Sequence, residues 1–153
     1  MKKLSYKGQI PPTTQERIKL STINGKTGYK ITKFDIITNT PAGSGTDEQV
    51  MKVYTKSQEG SIGPTVDFTE GDLLAVAFYQ ETGAGDAISK TIIFDNVMFN
   101  QDIFVTCADG GGGTKPANYY IELEAMPISD IEATMLTLQS IRTITSRWVN
   151  NII

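Results

Sequence analysis

The sequence predicts an all-β protein, an antiparallel β-sandwich of about seven or eight strands with one C-terminal amphipathic α-helix. β-Branched residues are abundant, with 19 Thr, 18 Ile and 7 Val against 7 Leu, and such residues favour strands over helices. Short apolar segments recur between clusters of Gly, Asn, Asp and Pro, which is typical of a sandwich or barrel. Both a jelly-roll-like and an immunoglobulin-like topology fit this pattern. The 153 residues suit a single domain.

The first half of the chain begins with a predicted strand over residues 4–10, which a pair of prolines ends. Residues 17–20 alternate weakly and form a second, short strand. An Asn24-Gly25 turn, where a positive φ is readily adopted, leads into a long strand over residues 29–38. The apolar residues of this strand occupy odd-numbered positions at first (Tyr29, Ile31) and even-numbered positions later (Phe34, Ile36). This shift predicts a β-bulge near Lys33.

The middle of the chain contains further predicted strands over residues 50–56, 91–94 and 102–108. Residues 73–80 differ from these because they are almost continuously apolar. Such a run predicts either a central strand that is covered on both faces or a helix, and Phe78, Tyr79 and the strand-rich context favour the strand.

The last strand, residues 119–124, alternates apolar and polar side chains, which predicts one buried and one solvated face. Tyr119 and Tyr120 therefore fall on opposite faces, so that one packs in the core and the other offers a surface platform for a sugar or a partner. Glu122 and Glu124 share the solvated face. Their spacing is close to that of a retaining glycosidase pair, although ordinary solvation explains them better.

After the last strand, the spacing of the apolar residues changes to that of an amphipathic helix, which is predicted to run to about residue 147. Ser129 and Glu132 have the spacing of a capping box, which predicts the helix N-terminus. We therefore divide the chain into a β-sandwich over residues 1–127 and a helix with an apolar tail over residues 128–153, which either belongs to the same domain or forms an interface arm. The predicted helical stripe consists of Ile131, Met135, Leu138 and Ile141.

The C-terminal tail is apolar and free of charge, whereas chain termini are normally solvated. The tail would dock either on its own domain or on another subunit, and both alternatives stay open. Together with the helical stripe it is the best interface candidate in the chain. Its apolar residues are Trp148, Val149, Ile152 and Ile153.

The composition excludes most enzyme classes. With no His and one Cys, the chain lacks Ser-His-Asp and Cys-His catalysis, ordinary zinc sites and an intrachain disulfide. A net charge of −3 argues against nucleic-acid binding, and no apolar run is long enough for a membrane helix. The basic start lacks the apolar segment of a signal peptide, which predicts synthesis in a cytoplasm. Cys107 is expected to be a buried, inert thiol.

Glycines 110–113, followed by Thr114 and Lys115, suggest a phosphate-binding loop only at first sight. In such a loop the Lys precedes the Ser or Thr, and a helix follows. Here the order is reversed and a strand follows. A connection between neighbouring strands is the better interpretation.

Two groups of acidic residues are candidates for a cation site or for a catalytic acid–base pair. Asp67, Glu70 and Asp72 offer oxygens to Ca²⁺, but their spacing is not that of an EF-hand and a turn into a strand explains them better. Asp95 and Asp102 fit a turn with side-chain-to-backbone hydrogen bonds better than a catalytic pair. We therefore predict no catalytic, cofactor-binding or metal-binding residue, and the protein is not expected to be an enzyme.

Four segments, INGKTGY at 23–29, TIIFDN at 91–96, FNQDI at 99–103 and NYYIEL at 118–123, carry a resemblance. With these turns and strands the chain resembles the small β-sandwich structural proteins in virions of marine tailed bacteriophages. The resemblance implies a virion component, either a capsid decoration (cement) protein or a tail- or fibre-associated protein. It implies no site residue.

The expected function is that of a non-enzymatic virion protein, made in the host cytoplasm, that stabilises the capsid through multivalent contacts. Its expected partners are copies of itself, for instance in a closed trimer, and the major capsid protein or other virion proteins, with no cofactor, nucleic acid or membrane. Loops 39–48, 81–88 and 109–118 would face outward or touch the shell. The alternative is a carbohydrate- or receptor-binding module; its candidate aromatic residues are Tyr79, Tyr119 and Tyr120.

Overall fold

A computed structural model describes residues 2–41, 46–82, 86–94 and 97–140. Eight antiparallel strands in this part of the chain form two sheets, which confirms the predicted all-β sandwich. The strands are β1 (Lys2–Ile10), β2 (Thr14–Ile18), β3 (Thr27–Thr38), β4 (Asp47–Tyr54), β5 (Leu73–Glu81), β6 (Ala87–Ile93), β7 (Ile103–Asp109) and β8 (Ala117–Pro127).

The strand order resolves the choice between the two topologies. One sheet has the order β1-β8-β3, and the other has the order β2-β7-β4-β5-β6. The pairs β1–β8, β2–β7 and β4–β5 are nested, as in a long antiparallel ribbon wrapped into a jelly roll. An immunoglobulin-like order would instead pair the first strand with the second. β6 departs from the nesting, because it hydrogen-bonds to β5 and extends the larger sheet.

All eight strands differ from their predicted bounds by at most four residues at either end, and β4, for instance, begins at Asp47 rather than at residue 50. β2 begins at Thr14 rather than at residue 17, and β6 begins at Ala87 rather than at residue 91. The first half of β6 is exposed, so its side chains carry no alternating apolar pattern. Backbone hydrogen bonds to β5 hold this part of β6 in the sheet, and backbone hydrogen bonds cannot be recognised from the pattern of side chains in the sequence.

The predicted bulge in β3 is confirmed. The pairing with β8 shifts between Ile31 and Lys33, so Thr32 is the extra residue. Its hydroxyl donates a hydrogen bond to the Glu122 carbonyl at 3.2 Å. The bulge lets both Ile31 and Phe34 point into the core, although they are three residues apart.

The core lies between the two sheets and includes Cys107, whose burial was predicted. The inner faces of both sheets contribute alternate residues along each strand. The largest fully buried apolar side chains are Phe34, Ile10, Met51, Leu74, Ile103, Ile121, Leu123, Val53 and Val105.

Residues 55–72 cover the outer face of the five-stranded sheet. The Lys52 ammonium donates to the Thr65 carbonyl at 2.7 Å, and the Gln58 amide donates to Gln15 Oε1 at 2.8 Å. Lys52 is buried, and burial lowers the pKa of its ammonium group. Because of this cover, β5 is buried on both faces over Leu73–Ala77, which confirms the predicted central strand.

The helix α1 covers residues 130–140 in the described part of the chain. The Glu132 amide donates to the Ser129 hydroxyl at 3.2 Å, so the helix begins where the capping box predicts. Ala133 is buried against the sandwich. None of the described helical residues form a segment long and apolar enough to span a membrane.

Candidate functional site

The outward face of α1 carries the predicted interface residues that the structure describes. Ile131 is 74% exposed, Met135 64% and Leu138 53%. We call these three residues the helix stripe. The remaining predicted interface residues lie outside the described part of the chain: Ile141, Trp148, Val149, Ile152 and Ile153.

The helix stripe is exposed because α1 docks through its opposite, smaller face. Asn100 is 1% exposed, and its side-chain Nδ2 lies 3.0 Å from the Gly25 carbonyl and 3.3 Å from the Ala133 carbonyl. The same nitrogen lies 3.1 Å from the Thr137 hydroxyl. Polar contacts to small residues help to hold the helix, and Leu136 is partly buried beside Phe99, whereas the three residues of the helix stripe face away from the sandwich.

The turn beside the helix carries a further exposed apolar residue. Ile23 is fully exposed, next to the predicted Asn24-Gly25 turn, which the structure confirms with a φ of 66° at Gly25. Asn24 and Leu138 line the same depression of about 340 Å³, so the turn and the helix stripe are neighbours. The sequence analysis did not identify Ile23 as a surface residue, because a single apolar residue in a turn shows no repeated spacing from which its exposure could be predicted.

A second surface lies on the outer side of the three-stranded sheet. Tyr120 is partly exposed there, and its hydroxyl donates to Glu122 Oε1 at 2.7 Å. Because Glu122 is two residues further along β8, the Tyr120 ring lies along the strand. The hydrogen bond to Glu122 raises the pKa of the Tyr120 hydroxyl. The surface contains a depression of about 550 Å³ lined by Lys7, Gly8, Asp35, Ile37, Asn118, Tyr119 and Tyr120.

The predicted split between the two adjacent tyrosines is confirmed, since Tyr119 is buried. Its hydroxyl donates to Glu16 Oε1 at 2.7 Å, and burial raises its pKa. Gly8 makes room for this ring, because a Cβ at residue 8 would lie 2.8 Å from Tyr119 Cε1. Tyr79 lies on the five-stranded sheet and donates to Glu81 at 3.1 Å, so the structure does not bring it together with Tyr120.

The acidic group at residues 67–72 forms a turn. Asp67 Oδ1 accepts hydrogen bonds from the amide and the hydroxyl of Thr69, and these bonds lower the pKa of Asp67. Asp72 is buried and accepts a hydrogen bond from Gln58 Nε2 at 3.0 Å. Within the described ranges, no three His, Cys, Asp or Glu residues are grouped to hold a metal ion.

Asp102 has a different role from the predicted turn. Its Oδ1 accepts hydrogen bonds from the amides of Leu20 at 2.7 Å and Ser21 at 2.8 Å, and its Oδ2 accepts one from Arg17 Nε at 2.6 Å. Burial alone would raise the pKa of this carboxyl, but the hydrogen bonds outweigh burial and lower the pKa to about 2. The turn interpretation is therefore wrong for Asp102, and Asp95 lies outside the described residues.

The glycine-rich segment connects two strands, as predicted, but these strands are not neighbours: β7 belongs to the five-stranded sheet and β8 to the three-stranded sheet. The Gly110 amide donates to the Glu48 carbonyl at 2.8 Å, and the Gly111 amide donates to Asp109 Oδ1 at 2.9 Å. These amides already have partners within the protein. Cys107 is fully buried, and burial raises the pKa of its thiol to about 11, as expected for an inert cysteine.

Comparisons with known proteins supply no family. No protein-family model matches the chain, and no curated protein sequence matches it. The chain is similar to one from a solved structure described as Bacillus endospore appendages, which form a novel family of disulfide-linked pili. The identity is 10%, the match covers 83% of this chain and 89% of the other, and the TM-score is 0.33, which is too low to support an argument.

Proposed function

We propose that this protein is a non-enzymatic structural component of a bacteriophage virion, a capsid decoration protein that stabilises the shell through multivalent contacts. The observation that carries the proposal is the exposed helix stripe, with three large apolar side chains directed away from the domain that forms them. The proposed location in a virion rests on the resemblance to small virion sandwich proteins. A tail- or fibre-associated position is the alternative place for the same assembly.

Burial of the helix stripe between copies would stabilise such an assembly. Burying a Leu, Ile or Met side chain completely is worth about 1.5–3 kcal/mol, so three of them on each copy contribute substantially to a contact. A closed ring repeats that contact in every subunit, and a particle surface multiplies weak contacts by avidity. We therefore assign the helix stripe to contacts between copies and the sandwich loops to the shell.

The test compares two apolar surfaces of the same protein. Light scattering after size exclusion should show a defined oligomer for the full chain. Met135→Glu combined with Leu138→Glu should reduce it to a monomer, whereas Ile37→Glu on the outer sheet face should leave the oligomer intact. A chain truncated after Arg147 separates the contribution of the tail from that of the helix stripe.

A second measurement addresses the capsid. The full chain should co-sediment with capsids that lack it, and the helix-stripe variant should co-sediment less because avidity is lost. A full chain that is monomeric and does not bind capsids would contradict the proposal.

Carbohydrate or receptor binding is the second candidate, and the depression beside Tyr120 favours it. The Tyr120 ring lies along the sheet next to the exposed Ile37, with amide, ammonium and carboxylate groups around it. Jelly rolls occur in both viral capsids and lectins, so the fold does not distinguish the candidates. Binding on a glycan array that Tyr120→Ala abolishes and Phe68→Ala preserves would support this function, because Phe68 is an exposed aromatic residue away from the depression.

A further inference from the structure

Three buried side-chain oxygens have no hydrogen-bond partner among the described residues: Thr38 Oγ1, Gln49 Oε1 and Asp109 Oδ2. All three belong to the same end of the sandwich. Thr38 is the last residue of β3, Gln49 is near the start of β4, and Asp109 is the last residue of β7. We call this group the oxygen cluster.

Hydrogen bonds and strand pairing place the oxygen cluster in one region between the sheets. Gln49 and Asp109 are directly opposite each other in the β4–β7 pair. Gln49 Nε2 donates to the Lys115 carbonyl at 2.8 Å, in the connection that leads into β8 of the other sheet. Thr38 pairs with Ala117, only two residues beyond Lys115.

The glycine-rich connection closes over this region. A Cβ at residue 113 would lie 2.6 Å from Asp109 Oδ2, so only glycine lets the chain approach that oxygen so closely. Gln49 is fully buried, and Thr38 is 1% exposed. All three oxygens of the cluster are buried, whereas the Asp109 residue as a whole is only partly buried.

The missing partner must carry positive charge or hydrogen-bond donors. An unpartnered buried polar atom costs about 1–3 kcal/mol, and both the Gln49 amide oxygen and an ionised Asp109 carboxylate are acceptors only. The neighbouring buried carboxylate of Asp47 is paired with the Lys115 ammonium at 3.0 Å. Asp109 forms no ion pair within the described ranges.

We propose that the oxygen cluster binds a hard divalent cation, Ca²⁺, through Asp109 Oδ2, Gln49 Oε1 and Thr38 Oγ1. Ca²⁺ accepts carboxylate and neutral oxygen ligands in flexible geometry, whereas Mg²⁺ requires a near-ideal octahedron. Only one carboxylate contributes, its Oδ1 already accepts a hydrogen bond from the Gly111 amide, and the Lys115 ammonium is nearby, so the site binds weakly, with a Kd of roughly 10⁻⁴–10⁻³ M. The ion joins strands of both sheets, and the site is independent of the proposed assembly.

Thermal unfolding of the full chain, freed of metal with EDTA and then titrated with CaCl₂, tests the site. At about ten times the Kd, Ca²⁺ should raise the Tm by about 3–6 °C. MgCl₂, or NaCl at matched ionic strength, should raise it less. Asp109→Asn should increase the Kd at least about tenfold, which corresponds to the loss of one charged ligand. Glu124→Gln, towards the opposite end of β8, is the matched control and should leave the Kd unchanged.

Thr38→Val keeps the proposal testable if Asp109→Asn does not fold. This variant removes a buried unpartnered hydroxyl, so the EDTA-treated protein should stay folded and at least as stable. Its Kd for Ca²⁺ should rise severalfold. No Ca²⁺-dependent change in Tm up to about 10 mM would overturn the proposal and leave ordered water as the partner of these oxygens. Equal Ca²⁺ binding by the wild type and both variants would also overturn it, because the ion would then bind elsewhere.

Discussion

Arg17 and Asp102, which are 85 positions apart in the sequence, form an ion pair that joins strand β2 to the chain just before β7, with Arg17 Nε 2.6 Å from Asp102 Oδ2. The Asp102 carboxylate also accepts hydrogen bonds from two backbone amides, at Leu20 and Ser21. One side chain therefore fixes the path of the chain after β2. Because the carboxylate is buried and Arg17 is half-exposed, the contribution to stability comes mainly from the buried acceptor.

Asp102→Asn should lower the free energy of unfolding at pH 7 by on the order of 2 kcal/mol. The pKa of Asp102 is about 2 in the folded protein, below the value of about 3.9 expected in the unfolded chain. The stabilisation is thus fully present above about pH 4 and is lost as the pH falls towards 2. Urea unfolding at several pH values measures this. The difference between wild type and variant should shrink below pH 4, and a difference that is constant down to pH 2 would contradict the assignment.

Asn100→Ala should loosen the docking of α1 and destabilise the protein by about 1–3 kcal/mol, since it leaves the buried Gly25 carbonyl without its donor. The helix should then exchange its amide hydrogens faster than the sandwich strands do. Hydrogen exchange read by mass spectrometry distinguishes the two regions. Gln9→Ala, which removes an exposed hydrogen bond to Asn118, is the control and should change neither rate.

Gly8→Ala should destabilise the protein by about 1–3 kcal/mol, because the new Cβ would lie 2.8 Å from Tyr119 Cε1 and the buried ring has little room to move. Gly63→Ala is the matched control, since a Cβ there meets no atom within 4 Å. The control should be neutral or slightly stabilising. Thermal unfolding of the two variants gives the comparison, and equal effects would refute the packing argument.

The Cys107 thiol should not react with a disulfide reagent at pH 8 in the native state. Its pKa of about 11 leaves little thiolate, and the sulfur is fully buried. Reaction should begin only in the urea range in which the protein unfolds. Absorbance of the released thiol, followed across a urea series, measures this. Rapid labelling without urea would show that β7 opens locally.

The candidate site was partly predictable from the sequence. The helical period identified Ile131, Met135 and Leu138 as one stripe, and strand alternation separated Tyr119 from Tyr120. The depression beside Tyr120 was not predictable. It is formed by neighbouring strands, and no local period records which residues of other strands, such as Ile37, lie beside it.

The sequence by itself determined the β class, the bulge in β3 and the N-terminus of the helix. Each of these features depends on residues that are close together in the sequence, so local conformational preferences are sufficient to predict it. Only the tertiary structure decided that α1 turns its small face inward onto Asn100, that Asp102 bonds to residues near Leu20, and that the oxygens of Thr38 and Gln49 lie at one end of the sandwich. These relationships join residues far apart in the chain, and the docking of sheets, loops and helix sets them.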